Sequence, residues 1–182
     1  MRCWYYQDCI TREVKKMLKG FIRCFIYLAA IGILSFFLGR ILPKHWFHAD
    51  AFPFKSFAFE KNGRIYDKIL VKKWQNKVPD MSRIFPGLMR EKKFSGGGRD
   101  ASALPLMLEE TCIAETIHWL LFILGFGCIF LWRGGWGIAV AIIYNLLGNV
   151  TFIIIQRYNR PRLMACLTAA QHIKIKKSGA AV

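Results

Sequence analysis

Three long apolar runs organise the chain, and basic or polar segments separate them. The runs cover residues 21–39, 112–132 and 136–155. The second run is 21 residues long, which is enough for an α-helix to cross a hydrocarbon core of about 30 Å. The pattern predicts an all-α membrane protein with about three apolar helices, the last two joined by a short turn at residues 133–135.

The second apolar run opens with polar and ionisable residues. Thr111, Glu115 and His118 are spaced by four and then three residues, so their side chains share one face of a helix. Ionisable side chains at membrane depth are expensive and usually mark function. We therefore predict that Glu115 and His118 belong to a functional site.

The glycines at the turn predict an antiparallel hairpin of two spanning helices. Counting outward from Gly134 with equal rise in both arms places His118 level with Asn149. The same count brings a further set of polar residues to one end of the hairpin, with Thr111 level with Arg157. That set is Glu110, Thr111, Gln156 and Arg157.

The first apolar run lacks the short core and the small-residue cleavage site of a secretory signal. We expect it to remain as a spanning helix at residues 21–41, ended by Pro43. The predicted single domain is completed by three further parts, namely a basic interfacial segment at 43–109, the hairpin at 111–156 and a basic tail at 157–182.

His45, His48 and Asp50 resemble metal ligands, but the neighbouring aromatic residues favour interfacial anchors, so we predict no metal and no cofactor.

The basic segment contains one amphipathic pattern. Tyr66, Ile69, Leu70 and Trp74 have helical spacing among lysines, which predicts a basic amphipathic helix at residues 66–77 lying on the membrane. A second short surface element is expected at residues 81–89. The Ser-Gly-Gly-Gly sequence at residues 95–98 predicts a flexible linker before the hairpin.

Composition and charge support the membrane interpretation. Hydrophobic residues make up 54% of the chain, and 27 Lys and Arg against 11 Asp and Glu give a formal net charge of +16. No recognition helix, RNA-binding strand motif or zinc-finger spacing accompanies that charge, so anionic membrane lipids are the expected partner and nucleic acid is not. The six cysteines have no paired C-x-x-C spacing and are interpreted as reduced, small hydrophobic residues.

The predicted location is the cell membrane, with several spans. Orientation stays open, because the basic N-terminus, the segment after Pro43 and the tail all favour the cytoplasm. A single first span forbids that arrangement. Either the first run re-enters the same face, or one basic segment is external.

Short motifs along the chain resemble those of a bacterial enzyme family. The matching residues are 54–57 (Phe-Lys-Ser-Phe), 59–61 (Phe-Glu-Lys), Gly63, Trp74, Lys77, Glu110, Thr111, Ala114, Glu115, His118, Trp119 and above all 156–163 (Gln-Arg-Tyr-Asn-Arg-Pro-Arg-Leu). They resemble the glycosyl-4,4'-diaponeurosporenoate acyltransferases over roughly residues 40–165. That family completes staphyloxanthin-type carotenoids by esterifying a fatty acyl chain to the sugar hydroxyl of a glycosylated C30 carotenoid. The resemblance implies a membrane O-acyltransferase of carotenoid biosynthesis that acts on such a glycoside or a similar glycolipid.

The implied reaction, acyl transfer from a thioester such as acyl-CoA to an alcohol, sets three chemical requirements. It needs a base near the hydroxyl, donors for the oxyanion and cations for the carrier phosphates. We predict His118 as the base, Glu115 as the residue that orients its ring, and Asn149 as a donor to the oxyanion or the sugar. No serine or cysteine has the surroundings of a nucleophile, which favours direct transfer. The predicted substrate-binding residues are Lys68, Trp74, Lys77, Glu110, Thr111, Gln156, Arg157, Asn159, Arg160 and Arg162.

The same residues allow other interpretations. Glu115 and His118 also fit a structural pair that locks helices together, or half of a di-iron E-x-x-H motif whose second half the other apolar runs do not supply. The arginines at 157, 160 and 162 also fit a signal that fixes membrane topology. An alternative of a different class is a non-catalytic membrane protein that binds or positions polyisoprenoid lipids for a partner enzyme.

Overall fold

The computed structural model describes residues 2–78 and 103–179, and all regular structure in these two ranges is helical. The predicted elements at residues 81–89 and 95–98 lie outside the described residues. Short 3-10 turns occupy Lys44–Trp46, Ala58–Glu60, Arg64–Asp67 and Gln75–Lys77, and a π-helical segment, Tyr144–Val150, joins α5 to α6. The α-helices are α1 (Arg2–Ile41), α2 (Val71–Trp74), α3 (Leu104–Gly125), α4 (Gly127–Leu131), α5 (Gly135–Ile143) and α6 (Thr151–Gly179).

Three helical stretches are long and apolar enough to cross a membrane, namely Ile10–Ile41, Leu104–Leu131 and Gly135–Lys176. The predicted all-α membrane fold with three apolar helices is therefore confirmed, and the chain is a multi-pass membrane protein. Only 17–28% of the most apolar window of each stretch is buried inside the protein. Most of these apolar side chains are thus left to face lipid, where a helix satisfies its own backbone hydrogen bonds.

The helix boundaries differ from those that the apolar runs indicate. Helix α1 begins at Arg2 rather than at residue 21, because the basic residues before the apolar run continue the same helix. Its 40 residues give a length of about 60 Å, twice what the hydrocarbon core requires. Helix α6 likewise continues past Gln156 to Gly179, with Pro161 inside it.

The single amphipathic helix predicted at residues 66–77 is not formed, and the structure corrects that prediction. Helix α2 is only four residues long, with 3-10 turns before and after it. Leu70 has a left-handed backbone, φ +55°, which interrupts a helical path immediately before α2. The indole Nε1 of Trp74 donates to the Ile69 carbonyl at 2.9 Å, so the segment folds back on itself.

The described chain forms two compact units. One, called here the hairpin unit, contains Met1–Leu42 and Ala114–Ile153. The other, called here the arginine unit, contains Pro43–Ile113 and Ile154–Val182. Each unit has its own apolar core.

In the hairpin unit the predicted turn is present. Gly134 has φ +113°, a conformation that side chains other than glycine rarely adopt. A Cβ on Gly137 would lie 1.9 Å from the Trp132 carbonyl oxygen, so glycine is also required where the second arm starts. The core beyond the turn is formed by Cys24, Cys128 and Ala141, with larger side chains packed around them.

The arginine unit packs the start of α3 against the middle of α6. Its buried core residues are Leu104, Leu108 and Leu163, and Ala49, Met107 and Leu167 pack around them. This packing holds residues 156–163, called here the arginine motif, within a folded unit.

Candidate active site

A chain of three polar side chains crosses the hairpin between its two arms. The ring nitrogen Nδ1 of His118 on α3 lies 3.3 Å from Oδ1 of Asn149 in the π-helical segment. A carboxamide oxygen can only accept, so His118 carries its proton on Nδ1. The other ring nitrogen, Nε2, then has a free lone pair, which is the protonation state of a general base.

The chain continues from Asn149 to Asn145. The Nδ2 group of Asn149 donates to Oδ1 of Asn145 at 3.0 Å, and the two residues are 1% and 2% exposed. They lie four residues apart in the π-helical segment, a rare geometry that often occurs at functional sites. His118, Asn149 and Asn145 are called here the amide chain.

The imidazole of His118 is also fixed by its neighbours. It stacks on the ring of Phe152 with centroids 4.8 Å apart and an interplanar angle of 3°. Glu115 is buried one helical turn before His118 on α3, and only 2% of it is exposed. Because Oδ1 of Asn149 accepts the hydrogen bond from Nδ1, the orienting contact on that nitrogen comes from an amide, and the role of Glu115 stays a prediction.

A second polar centre lies in the arginine unit around Glu60. Arg157 donates from Nε to Oε1 of Glu60 at 2.5 Å and from Nη2 to Oε2 at 2.8 Å, a two-bonded ion pair. The Phe57 N–H donates to Oε2 at 2.7 Å, and the Tyr66 hydroxyl donates to Oε1. Glu60 is 1% exposed, so a full set of donors accompanies its buried charge.

These donors set the ionisation of Glu60. Burial alone would raise its pKa, but the hydrogen bonds from Arg157, Tyr66 and Phe57 and the charge of Arg157 lower the pKa to about 2. Burial and the bond to Glu60 raise the pKa of Tyr66. Glu60 is therefore a carboxylate and Tyr66 a neutral phenol throughout the physiological range.

Arg160 is the second residue of the arginine motif, after Arg157, that bonds to other segments of the unit. It is 2% exposed and donates to the Thr111 hydroxyl at 3.0 Å, the Thr111 carbonyl at 3.1 Å and the Phe54 carbonyl at 2.8 Å. The sequence count placed Arg157, not Arg160, level with Thr111. The difference of about one turn arises because long side chains on a helix point back toward its N-terminus, so the guanidinium of Arg160 reaches the level of an earlier residue.

A left-handed turn brings Glu60 to the motif. Lys61, Asn62 and Gly63 have φ values of +49°, +55° and +82°. A Cβ on Gly63 would lie 3.4 Å from both Nη1 of Arg162 and the Tyr158 carbonyl oxygen. Gly63 therefore combines a backbone conformation that favours glycine with close packing against α6.

The other predicted binding residues have separate environments. Arg162 donates to the Tyr158 carbonyl and to Asp67, and Asn159 donates to Gln75. Glu110 lies 3.6 Å from the ammonium group of Lys44. Lys68 and Lys77 are exposed, whereas Trp74 and Gln156 are partly buried.

Among the described residues no group of three His, Cys, Asp or Glu is arranged to hold a metal, and His45, His48 and Asp50 are exposed.

A cavity of about 710 Å³ opens in the arginine unit beside the motif. Arg157, Arg160 and Arg162 are among the residues that line it, together with Lys55 and Arg64. Within the described residues the side chains of Lys55 and Arg64 have no hydrogen bond or ion pair, so their charges are available to a ligand.

Comparisons with known proteins identify the family of the chain. The family model described as glycosyl-4,4'-diaponeurosporenoate acyltransferase matches residues 43–169. The chain belongs to that family. It is 30% identical over 159 residues to the glycosyl-4,4'-diaponeurosporenoate acyltransferases of Staphylococcus aureus strains N315 and USA300, an alignment that covers 86% of this chain and 93% of each relative. No solved structure matches the chain.

The part of the chain matched by the acyltransferase family contains both polar centres. It begins at residue 43, after α1, and ends at residue 169 within α6. The amide chain, Glu60 and the arginine motif all fall inside it. The first apolar helix falls outside.

Sequence reasoning overlooked four residues of these centres, namely Glu60, Tyr66, Asn145 and Phe152. Asn145 had a usable signal, since Asn145 and Asn149 are two amides four residues apart in an apolar run. Glu60 had only its place in a short family motif. Its partner Arg157 lies 97 residues away, a pairing that no local pattern specifies.

Replacing Glu60 tests the second centre. Glu60→Gln removes the buried charge that pairs with Arg157, whose side chain is only 9% exposed, so we expect a loss of about 3–5 kcal/mol in the free energy of unfolding at neutral pH. Asp67→Asn is the matched control, because the exposed pair of Asp67 with Arg162 contributes at most about 1 kcal/mol. Thermal unfolding of the detergent-solubilised proteins measures both.

The dependence on pH follows from the lowered pKa of Glu60. Its contribution to stability is complete above the ordinary carboxyl pKa of 4.5 and is lost as the pH falls toward 2. The difference in melting temperature between wild type and Glu60→Gln should therefore shrink over that interval. A difference that is no larger than that of Asp67→Asn at neutral pH would contradict the assignment.

Proposed function

We propose that this member of the acyltransferase family transfers a fatty acyl group from a thioester donor such as acyl-CoA to a sugar hydroxyl of a glycosylated carotenoid or similar glycolipid. The relatives named above are acyltransferases of a glycosyl-diaponeurosporenoate, and family membership supports the same class of acceptor. The observation that carries the proposal for the chemistry is the bond between His118 Nδ1 and Asn149 Oδ1, which leaves Nε2 as a proton acceptor within an apolar hairpin.

The reaction follows from that protonation state. The sugar hydroxyl oxygen attacks the acyl carbonyl carbon, and its proton passes to Nε2 of His118 while the carbonyl electrons move to oxygen. When the carbonyl re-forms, the carbon–sulfur bond breaks. The thiolate leaves and takes the proton from His118, so the products are an ester and a free thiol.

The residues around His118 have different roles in the reaction. Asn149 fixes the tautomer of His118, and stacking on Phe152 fixes the plane of the ring. Glu115, one turn away and buried, stabilises the imidazolium that forms when His118 accepts the proton. The apolar surroundings exclude water, which would otherwise hydrolyse the thioester.

The cavity of the arginine unit has the charge to bind phosphate groups such as those of a CoA thioester. Arg157 and Arg160 already have protein partners there, so they shape the cavity, and Lys55 and Arg64 supply its uncommitted charges. Lys68, Trp74, Lys77, Glu110, Gln156 and Asn159 are further candidates for contacts with the substrates.

The base is tested by His118→Ala in purified protein supplied with acyl-CoA and a glycosylated carotenoid. Turnover should fall by about 10²–10⁴-fold, the usual effect of losing a general base. His172→Ala is the control, since this exposed histidine on α6 has no part in the amide chain. Full turnover in folded His118→Ala would refute the base. Lipid binding by wild-type protein that never yields an ester would instead favour the non-catalytic, lipid-positioning alternative.

The donor site is tested by the double variant Lys55→Gln, Arg64→Gln. The KM for acyl-CoA should rise roughly tenfold, with little change in kcat, because the charge-assisted bonds to phosphate are lost. The control is a thioester of N-acetylcysteamine with the same acyl chain and no phosphate, whose KM should not change. An equal rise in KM for both donors would exclude phosphate binding by these side chains.

A further inference from the structure

Asn145 ends the amide chain with a donor that the fold leaves unused. Its Oδ1 accepts from Asn149, but its Nδ2 group has no hydrogen-bond partner among the described residues. The side chain is 2% exposed, so water does not replace that partner freely. Buried polar groups in natural proteins are nearly always bonded, and an exception usually has a functional reason.

The facing helix leaves room for this carboxamide. A Cβ on Gly125, the last residue of α3, would lie 2.6 Å from Oδ1 of Asn145 and 2.8 Å from the ring of Tyr144. Any side chain at position 125 would therefore displace the Asn145 amide. Gly148, in the same π-helical segment as Asn145, is different, because the nearest atoms to a Cβ there are 3.8 Å away.

The direction of the hydrogen bonds determines whether each end of the amide chain presents a hydrogen-bond donor or an acceptor. His118 donates to Asn149, and Asn149 donates to Asn145. The chain therefore terminates in a lone pair on Nε2 of His118 and in an N–H group on Nδ2 of Asn145. Accepting a hydrogen bond at its oxygen polarises the Asn145 amide and makes this N–H a stronger donor.

We infer that Asn145 is a catalytic residue that donates from Nδ2 to the acyl carbonyl oxygen of the donor. This inference depends on the proposed acyl transfer and adds to it the group that stabilises the developing oxyanion. The carbonyl oxygen becomes negative as the sugar oxygen attacks. A preorganised N–H group in an apolar site stabilises that charge more than it stabilises the neutral thioester.

This inference assigns separate tasks to the two asparagines. Asn149 is a positioning residue, since its oxygen and one of its N–H groups are committed to His118 and Asn145. Asn145 contacts the substrate. The same chain thus couples a base to an oxyanion donor through one intervening amide.

The test compares Asn145→Ala with wild type in the acyl-transfer assay. We expect kcat to fall by about 10²–10³-fold, the usual cost of losing an oxyanion donor, with KM for both substrates within about twofold of wild type. The pH dependence of kcat/KM should keep its midpoint, because His118 retains its bond to Asn149. A purely structural role would instead shift that midpoint or lower the melting temperature along with activity.

A second variant keeps the test decisive if Asn145→Ala does not fold. Gly125→Ala retains both asparagines and displaces the Asn145 amide, so it should also lower kcat, whereas Gly148→Ala should behave as wild type. Activity of Asn145→Ala within about threefold of wild type, or a shifted pH midpoint, would overturn the inference. If wild type is active and His118→Ala is not, such a result removes only the role of Asn145. Retained activity in His118→Ala would remove the proposed chemistry itself.

Discussion

A polar side chain inside an apolar helical hairpin depends on partners from the same hairpin or from a bound substrate, because lipid offers none. That constraint explains the geometry around His118. One ring nitrogen is bonded to Asn149, and the bond between Asn149 and Asn145 commits the next amide as well. These two hydrogen bonds offset part of the cost of burying the polar groups, and they fix the tautomer of His118 and the direction of each amide. The hydrogen bonds that stabilise the hairpin therefore also set the protonation state of His118.

The arginine unit follows the same rule outside the apolar spans. The buried carboxylate of Glu60 accepts hydrogen bonds from Arg157, Tyr66 and a backbone N–H, and Arg160 donates to the hydroxyl and the carbonyl of Thr111. Two of the three arginines in the motif therefore hold the segment around Phe54–Glu60 onto helices α3 and α6. A motif that looks in sequence like a row of ligand-binding cations is in large part the means by which the unit folds, and the charges left for a ligand come from Lys55 and Arg64.

The amino-acid sequence predicted more of the helical architecture than of the candidate site. Apolar runs of spanning length and two turn glycines were sufficient to predict three helices, the hairpin at Gly134 and the level shared by His118 and Asn149. The prediction was possible because rise per residue is nearly constant along a helix. The count did not indicate that Arg160, one turn beyond Arg157, contacts Thr111, since a long side chain does not end at the level of its own Cα. The prediction failed at residues 66–77, where the left-handed backbone of Leu70 overrides a helical apolar spacing. Glu60 was beyond reach, because its partner is 97 residues distant and the pair forms only when the chain has folded.

The direction of the hydrogen bonds in the amide chain can be measured by nitrogen NMR of isotope-labelled histidine. The chain has four histidines, so replacing His45, His48 and His172 leaves the signals of His118 alone. At neutral pH in lipid bilayers, we expect a neutral ring with Nδ1 protonated and Nε2 unprotonated. In Asn149→Leu that preference should disappear, because the acceptor of the Nδ1 proton is gone. A wild-type ring protonated on Nε2, with Nδ1 carrying the lone pair, would reverse every hydrogen bond in the chain and contradict the account.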